Sequence, residues 1–174
     1  WTQLPIDVDF STKLHNSAES KFNSALFKAA GITHSNIPQP HQALIRNDSI
    51  FWLDAKSDML KTIDHEALRQ IQLLTEALKN YFRISLTKFE CHYSVYPAGH
   101  FYKKHIDATA ENNKRIFSFV IYLNNTWQPT DGGELLGYEQ EQILFKILPQ
   151  DGKMILFKSN LEHEVLTTYK TRYS

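Results

Sequence analysis

An α+β fold, a double-stranded β-helix (jelly roll) with N-terminal helices packed on one sheet, is what this sequence predicts. After Ile84, apolar residues alternate with period two over short runs, with turn residues roughly every eight to twelve positions. Before that point, two longer stretches repeat apolar side chains at helical spacing. A chain of 174 residues and 20.3 kDa suits one domain around one core.

The first helical stretch covers residues 10–30, with Phe10, Leu14, Ala18, Phe22, Leu26 and Ala29 on one stripe and Gly31 closing it. From Gly31 to Leu44 the composition turns to Asn, Pro, Gln and His, which reads as a loop. Loops this long inside compact domains are often functional, and this one is a candidate lid over a substrate. Its His34 and His41 read as exposed loop residues rather than ligands. Ile45–Leu53 reads as a strand or strand pair. Asp64 then caps a second helix from His65 to Phe82, with Leu68, Ile71, Leu74, Leu78 and Tyr81 on its stripe.

Lys88–Tyr96 alternates up to Pro97. Arg115–Leu123 sends Phe117, Phe119, Ile121 and Leu123 to one face and Ile116, Ser118, Val120 and Tyr122 to the other. Asn124-Asn125 and Asp131-Gly132-Gly133 are turn signals. Short strands follow at Glu134–Tyr138, Gln142–Leu148, Lys153–Lys158, Glu164–Thr168 and from Thr171 onward. The chain divides into helical support with first strands over 1–87 and a jelly-roll core over 88–174.

Lys plus Arg and Asp plus Glu are 19 each, so the formal net charge is zero. That argues against a nucleic-acid groove or an anionic membrane surface as the main partner. No apolar run approaches a membrane span, and no signal-peptide pattern is visible. The chain opens on Trp1 and stops at Ser174 inside an apparent strand, so trimmed ends are expected. The one cysteine, Cys91, excludes an internal disulfide framework and fits a reducing, cytoplasmic setting.

The stretch Tyr96–Asp107 holds the chemistry. It ends in His105-Ile106-Asp107, and on a strand the side chains at i and i+2 leave one face. Alone, His-x-Asp is weak evidence for a metal. His163 adds a second imidazole 56 residues after Asp107, and Arg172 follows nine residues later. Two histidines and one carboxylate, with open positions opposite, make the facial triad of non-haem Fe(II) oxygenases. An arginine nearby supplies a planar, always-charged anchor for a carboxylate.

With these residues the chain resembles the 2-oxoglutarate- and Fe(II)-dependent oxygenases, in their prolyl 4-hydroxylase branch. It is similar to the intracellular oxygen-sensing prolyl hydroxylases and their bacterial relatives. The resemblance rests on Tyr96-Pro97, Tyr102-x-x-His105-x-Asp107, Tyr122-Leu123-Asn124, Gly132-Gly133-x-Leu135, His163-Glu164-Val165 and Thr171-Arg172-Tyr173. It covers residues 88–174 and extends to Ile45-Arg46-x-Asp48-x-Ile50-x-Trp52.

The resemblance implies one catalytic oxygenase domain over residues 1–174, with Fe(II), 2-oxoglutarate and O2 as its requirements and ascorbate (vitamin C) as an accessory. It implies His105, Asp107 and His163 as catalytic metal ligands and Arg172 as partner of the distal 2-oxoglutarate carboxylate. Tyr122 would bond the same group, Tyr96 would lie beside it, and Leu135 and Val165 would wall the pocket. Tyr102 would line the entrance on the substrate side, with Arg46 and Asp48 orienting the mouth. Duller readings stand beside these: Tyr96 and Tyr122 as ordinary strand aromatics, Arg46 and Asp48 as a surface ion pair.

His92 departs from the family pattern, which often has a bulky apolar residue there. It reads either as a substrate-side polar group or, with slight preference, as a satisfied core histidine. The implied reaction hydroxylates a prolyl residue in a protein or peptide and releases succinate and CO2. The alternatives are the same chemistry on a free amino acid or small molecule, and a non-catalytic metal-binding jelly-roll module. Neither motif bears on oligomeric state.

Overall fold

The computed structural model describes residues 1–31, 43–108 and 114–174. Most of the Gly31–Leu44 loop, with His34 and His41, lies outside the described residues. Among them, no helix is long and apolar enough to cross a membrane.

Helix α1 spans Val8–Asn23, and the Asp7 carboxylate accepts a 2.8 Å bond from the Phe10 amide to start it. It ends well before the position expected from the apolar stripe. Ser24 caps it and Ala25 takes a left-handed φ of 56°. Leu26 turns back to the Lys21 carbonyl, and Ala29 lies in a short strand, Lys28–Ala29. The stripe therefore spans a helix and part of a strand, which helical periodicity alone cannot divide.

Helix α2 spans Thr62–Phe82, three residues longer at its start than expected, with Lys61 at the N-cap. Asp64 sits in the first turn and accepts a 2.6 Å bond from the Lys61 amide. The buried stripe runs through Asp64, Ala67 and Ile71, while Tyr81 is 82% exposed and leaves it.

Among the described residues, eleven short strands form three sheets. They are β1 (Thr2–Pro5), β2 (Lys28–Ala29), β3 (Ser49–Trp52), β4 (His92–Tyr96), β5 (Tyr102–His105), β6 (Phe117–Ile121), β7 (Leu135–Glu139), β8 (Gln142–Ile147), β9 (Lys153–Lys158), β10 (Glu162–Val165) and β11 (Arg172–Tyr173). The orders are β1-β9-β6, β11-β4-β3-β2 and β5-β10-β7-β8, all antiparallel. The first two are spliced where the Leu123 amide meets the Tyr173 carbonyl at 3.3 Å. Asn124, read from sequence as a turn residue, is buried and makes the splice firm. Its amide nitrogen donates to the Tyr173 and Pro149 carbonyls, and its oxygen accepts from the Tyr173 amide.

Period two then sorts the core into two compartments. Tyr93, Val95 and Leu123 face the helices, packing with Leu14, Ala18 and Ala67. Tyr96, Tyr122, Leu135, Ile155, Phe157 and Val165 pack together in a second cluster. This is the predicted architecture, helices buttressing one face of a jelly roll.

One buried network ties the helices to the sheet. The Lys21 ammonium, 2% exposed as a residue, donates to Asp64 at 2.6 Å and Ser17 at 2.7 Å. Asp64 also accepts from Ser17 and from the Tyr93 hydroxyl on β4. Burial works against the Asp64 carboxylate's charge, but Lys21, Tyr93, the Lys61 amide and Ser17 outweigh it and hold its pKa below the ordinary value. Asp64→Ala strands a buried ammonium, and we expect it to cost about 3–5 kcal/mol in denaturant unfolding. The depressed pKa places this stabilisation above the unfolded carboxylate's pKa and removes it as pH falls through the folded value. A flat stability profile across the acid range would exclude the role.

Candidate active site

β5 and β10 are adjacent antiparallel strands, and their register sets His105 directly opposite His163. Opposed side chains in such a ladder start about 5 Å apart at Cβ. The two imidazoles converge with ring centroids 4.2 Å apart. Each Nδ1 lies within hydrogen-bond distance of the carbonyl two residues earlier, His105 to Lys103 at 2.7 Å and His163 to Leu161 at 2.9 Å. A carbonyl only accepts, so each Nδ1 donates and each Nε2 keeps its lone pair for a metal.

Both Nε2 atoms point to Asp107. His105 Nε2 lies 3.7 Å from Asp107 Oδ1, and His163 Nε2 lies 3.7 Å from Oδ2. The three ligand atoms fall within 4.8 Å of one another, a spacing fit for one cation. Burial, and next the neighbouring His163, push the His105 pKa down to about 4, so the ring is neutral and able to ligate near pH 7.

Asp107 follows the end of β5, and its amide bonds the Ser159 carbonyl at 3.0 Å. Its Oδ2 accepts from the Ser118 hydroxyl on β6, which in turn meets Ser159 Oγ at 2.9 Å. In the sequence Ser118 stands out only as a polar residue on one face of an apolar strand, and Ser159 gives no signal.

The triad opens into a cavity of about 1060 Å³, also lined by Arg46, His92, Tyr96, Tyr102, Leu135, Val165 and Arg172. Leu135 on β7 and Val165 on β10 are ladder partners, so the apolar wall is one rung of a sheet. Tyr102 stacks on His105, with centroids 3.5 Å apart and planes 12° apart. The Arg46 guanidinium covers the Tyr102 ring at 4.2 Å. Arg46 donates to both oxygens of Asp48, 2.8 Å each, and Asp48 is 1% exposed. Arg46 lines the cavity and Asp48 is buried behind it, so the pair is not a surface bridge. Burial alone would lower the Arg46 pKa, but Asp48 carries it above the ordinary value.

Arg172 on β11 is 1% exposed. Its guanidinium faces the rings of Tyr96 at 4.9 Å and Tyr122 at 5.6 Å. Its hydrogen bond among the described residues is a long one, NH1 to Ser174 Oγ at 3.3 Å. Among the described residues, Arg172 Nε and the Tyr122 hydroxyl are buried without partners. Burial raises the pKa of both Tyr96 and Tyr122, so both phenols keep their protons near neutral pH. Buried donors left idle on a cation and a phenol call for an anionic acceptor, and a carboxylate supplies one. Gly133, at a φ of 70°, is needed here: a Cβ would lie 3.1 Å from Arg172 Cδ and from Thr168 Cβ.

His92 is not the satisfied core histidine favoured from sequence. It is half-buried, lines the cavity, and meets Trp52 edge-on with centroids 4.7 Å apart.

Residues 91–174 match the family model of the 2OG-Fe(II) oxygenase superfamily. A search of curated proteins finds no match. Among solved structures, a Pseudomonas putida prolyl-4-hydroxylase superposes with a TM-score of 0.86 at 29% identity, covering 99% of this chain and 88% of that one. A Trichoplax adhaerens prolyl hydroxylase, solved in complex with a hypoxia inducible factor oxygen degradation domain peptide fragment, gives 0.82 at 24% identity, covering 98% and 80%. The viral collagen prolyl hydroxylase of Paramecium Bursaria Chlorella virus-1 gives 0.57 at 19% identity, covering 98% and 91%.

Ser118 supports the carboxylate that faces both histidines. Ser118→Ala should therefore lower divalent-metal affinity by roughly 10- to 100-fold, the usual effect of losing a group that orients a ligand. Calorimetric titration with Mn(II) measures this, and wild-type affinity in the variant would refute it.

Proposed function

We propose that this chain, whose residues 91–174 form a 2OG-Fe(II) oxygenase domain, hydroxylates a prolyl residue in a protein or peptide. The helical part, 1–87, and the jelly-roll part, 88–174, act as one catalytic unit. In this reading His105, Asp107 and His163 hold Fe(II), and Arg172 with Tyr122 takes the distal carboxylate of 2-oxoglutarate. Bound there, the metal lets O2 oxidise 2-oxoglutarate to succinate and CO2 while a substrate C–H bond is hydroxylated.

The observation that carries the reading is the pairing of two idle, buried donors with a converging His-Asp-His ligand set across one cavity. Arg172 Nε and the Tyr122 hydroxyl lack partners among the described residues, and both Nε2 lone pairs are aimed at one carboxylate. A cosubstrate with a carboxylate at one end and a chelating keto acid at the other satisfies both sets together.

The protein's own part is binding and exclusion. Arg172 and Tyr122 fix one end of the cosubstrate, and Leu135 and Val165 keep water from its middle. Tyr102, braced by Arg46 and Asp48, orients the His105 ring by stacking on it. Proline as the target is supported by the likeness to the Pseudomonas putida prolyl-4-hydroxylase at 29% identity, and a peptide substrate by the complexed Trichoplax relative. A cytoplasmic setting and a role for ascorbate in keeping the iron reduced belong to the same proposal. The lone thiol, Cys91, is inert there because burial pushes its pKa up to about 12.

Prolyl peptides incubated with Fe(II), 2-oxoglutarate and air should gain ~16 Da, one oxygen atom, with matching succinate. If free proline alone drives succinate release, the substrate is a small molecule instead. His105→Ala, Asp107→Ala and His163→Ala should each abolish turnover. Arg172→Ala should raise the 2-oxoglutarate Kd at least about 30-fold, corresponding to ~2 kcal/mol or more for losing one partner of a buried charge pair. Mn(II) affinity should stay near wild type. An unchanged 2-oxoglutarate Kd would remove Arg172 from the cosubstrate site.

A further inference from the structure

The cavity has two ends, and β4 shows both. His92, Ser94 and Tyr96 leave the strand on one face, and all three line the cavity. Tyr96 stands against Arg172 at 4.9 Å. His92 stands four residues back along the strand, opposite Trp52 in the β3–β4 ladder. Trp52 is 48% exposed, so its indole forms part of an open wall and not of the core.

His92 differs from three of the other histidines. His100, His105 and His163 each direct Nδ1 at a backbone carbonyl. His92 makes no hydrogen bond among the described residues. Burial, and next the Arg46 charge, push its pKa down to about 4. Near neutral pH it is an uncharged ring with one donor and one acceptor nitrogen.

The charges nearby point the same way. Three arginines line the cavity; Arg172 lies at the Tyr96 end, and the other two are each paired with a carboxylate. Arg46 is held by both oxygens of Asp48, and Arg115 lies 3.3 Å from Glu90. An unpaired donor and acceptor beside an aromatic edge match a peptide amide and the residue attached to it. A free amino acid has no backbone amide to offer them.

Resting on the peptidyl reading above, we propose that His92 and Trp52 form an outer subsite. It binds the backbone amide next to the target residue of an extended peptide, and so favours a peptide over a free amino acid. The hydrogen bond comes from the imidazole. The indole shields it from water.

The test uses the Mn(II)- and 2-oxoglutarate-loaded protein, titrated calorimetrically with an acetylated, amidated pentapeptide carrying a central proline. His92→Leu and His92→Met are compared with His92→Gln, which keeps a neutral donor and acceptor. The apolar variants should weaken the pentapeptide by about three- to tenfold, the loss of one net hydrogen bond. His92→Gln should recover most of that loss, and the 2-oxoglutarate Kd should not follow. Equal pentapeptide affinity in wild type and apolar variants overturns the subsite. So does failure of the wild type to bind the pentapeptide, or a parallel shift in the 2-oxoglutarate Kd.

Hydroxylation is scored separately by mass. A pentapeptide that binds through His92 but gains no oxygen overturns prolyl hydroxylation and supports the subsite. A hydroxylated pentapeptide with equal affinities does the reverse.

Discussion

A guanidinium 1% exposed, with no carboxylate beside it among the described residues, is the constraint on which the interior depends. Desolvating an ion costs several kcal/mol even after the surroundings relax. The faces of Tyr96 and Tyr122 return part of that, at ring distances of 4.9 and 5.6 Å. Elsewhere the molecule handles the same problem by pairing: Lys21 with Asp64, Arg46 with Asp48. Arg172 is the exception, and an exception of that cost implies an anion that arrives from outside. Gly133 leaves room for its stem, and the Leu135–Val165 rung builds an apolar wall of the same cavity.

The ligand set is fixed by backbone before any metal enters. The β5–β10 register brings the imidazoles together, and two carbonyls, each two residues upstream, set their tautomers. The carboxylate is held from the opposite direction, by Ser118 on β6. β6 belongs to the ladder with β9 and β1, whereas the histidines sit on the ladder of β5, β10, β7 and β8. The Ser118–Asp107 hydrogen bond thus links the two sheets at the ligand set, so cation binding there and the closure of the shell are coupled.

Much of this was legible in the sequence, because alternation and spacing report on faces. Phe117-x-Phe119-x-Ile121 against Ser118-x-Val120-x-Tyr122 separates two strand faces, and the structure brings the three distant side chains His105, Asp107 and His163 together. What failed has physical causes. Helical spacing carried α1 through Ala29 because a left-handed Ala25 leaves no trace in apolar periodicity. Asp64 looked like a cap, since a first-turn carboxylate serves that end equally; its buried partners Lys21 and Tyr93 lie 43 and 29 residues away. β1 was unseen because its pairing with β9 joins opposite ends of the chain. Ser159 could not be found at all, because its task is set by the β6–β9 register alone.

The buried Lys21–Asp64 pair has a consequence for the site that its distance conceals. Tyr93 donates to Asp64 at 2.7 Å, so β4 is pinned to both helices through one hydroxyl. On a strand, fixing Tyr93 on the helix side fixes His92, Ser94 and Tyr96 on the cavity side, since a slip of one residue would exchange the two sets. The ladder partners of β4 carry that register outward: Arg172 opposite Tyr96, and Trp52 opposite His92. The polar core under the helices, costly as isolated electrostatics, thereby sets which side chains of β4 and its ladder partners line the cavity and which face the helices.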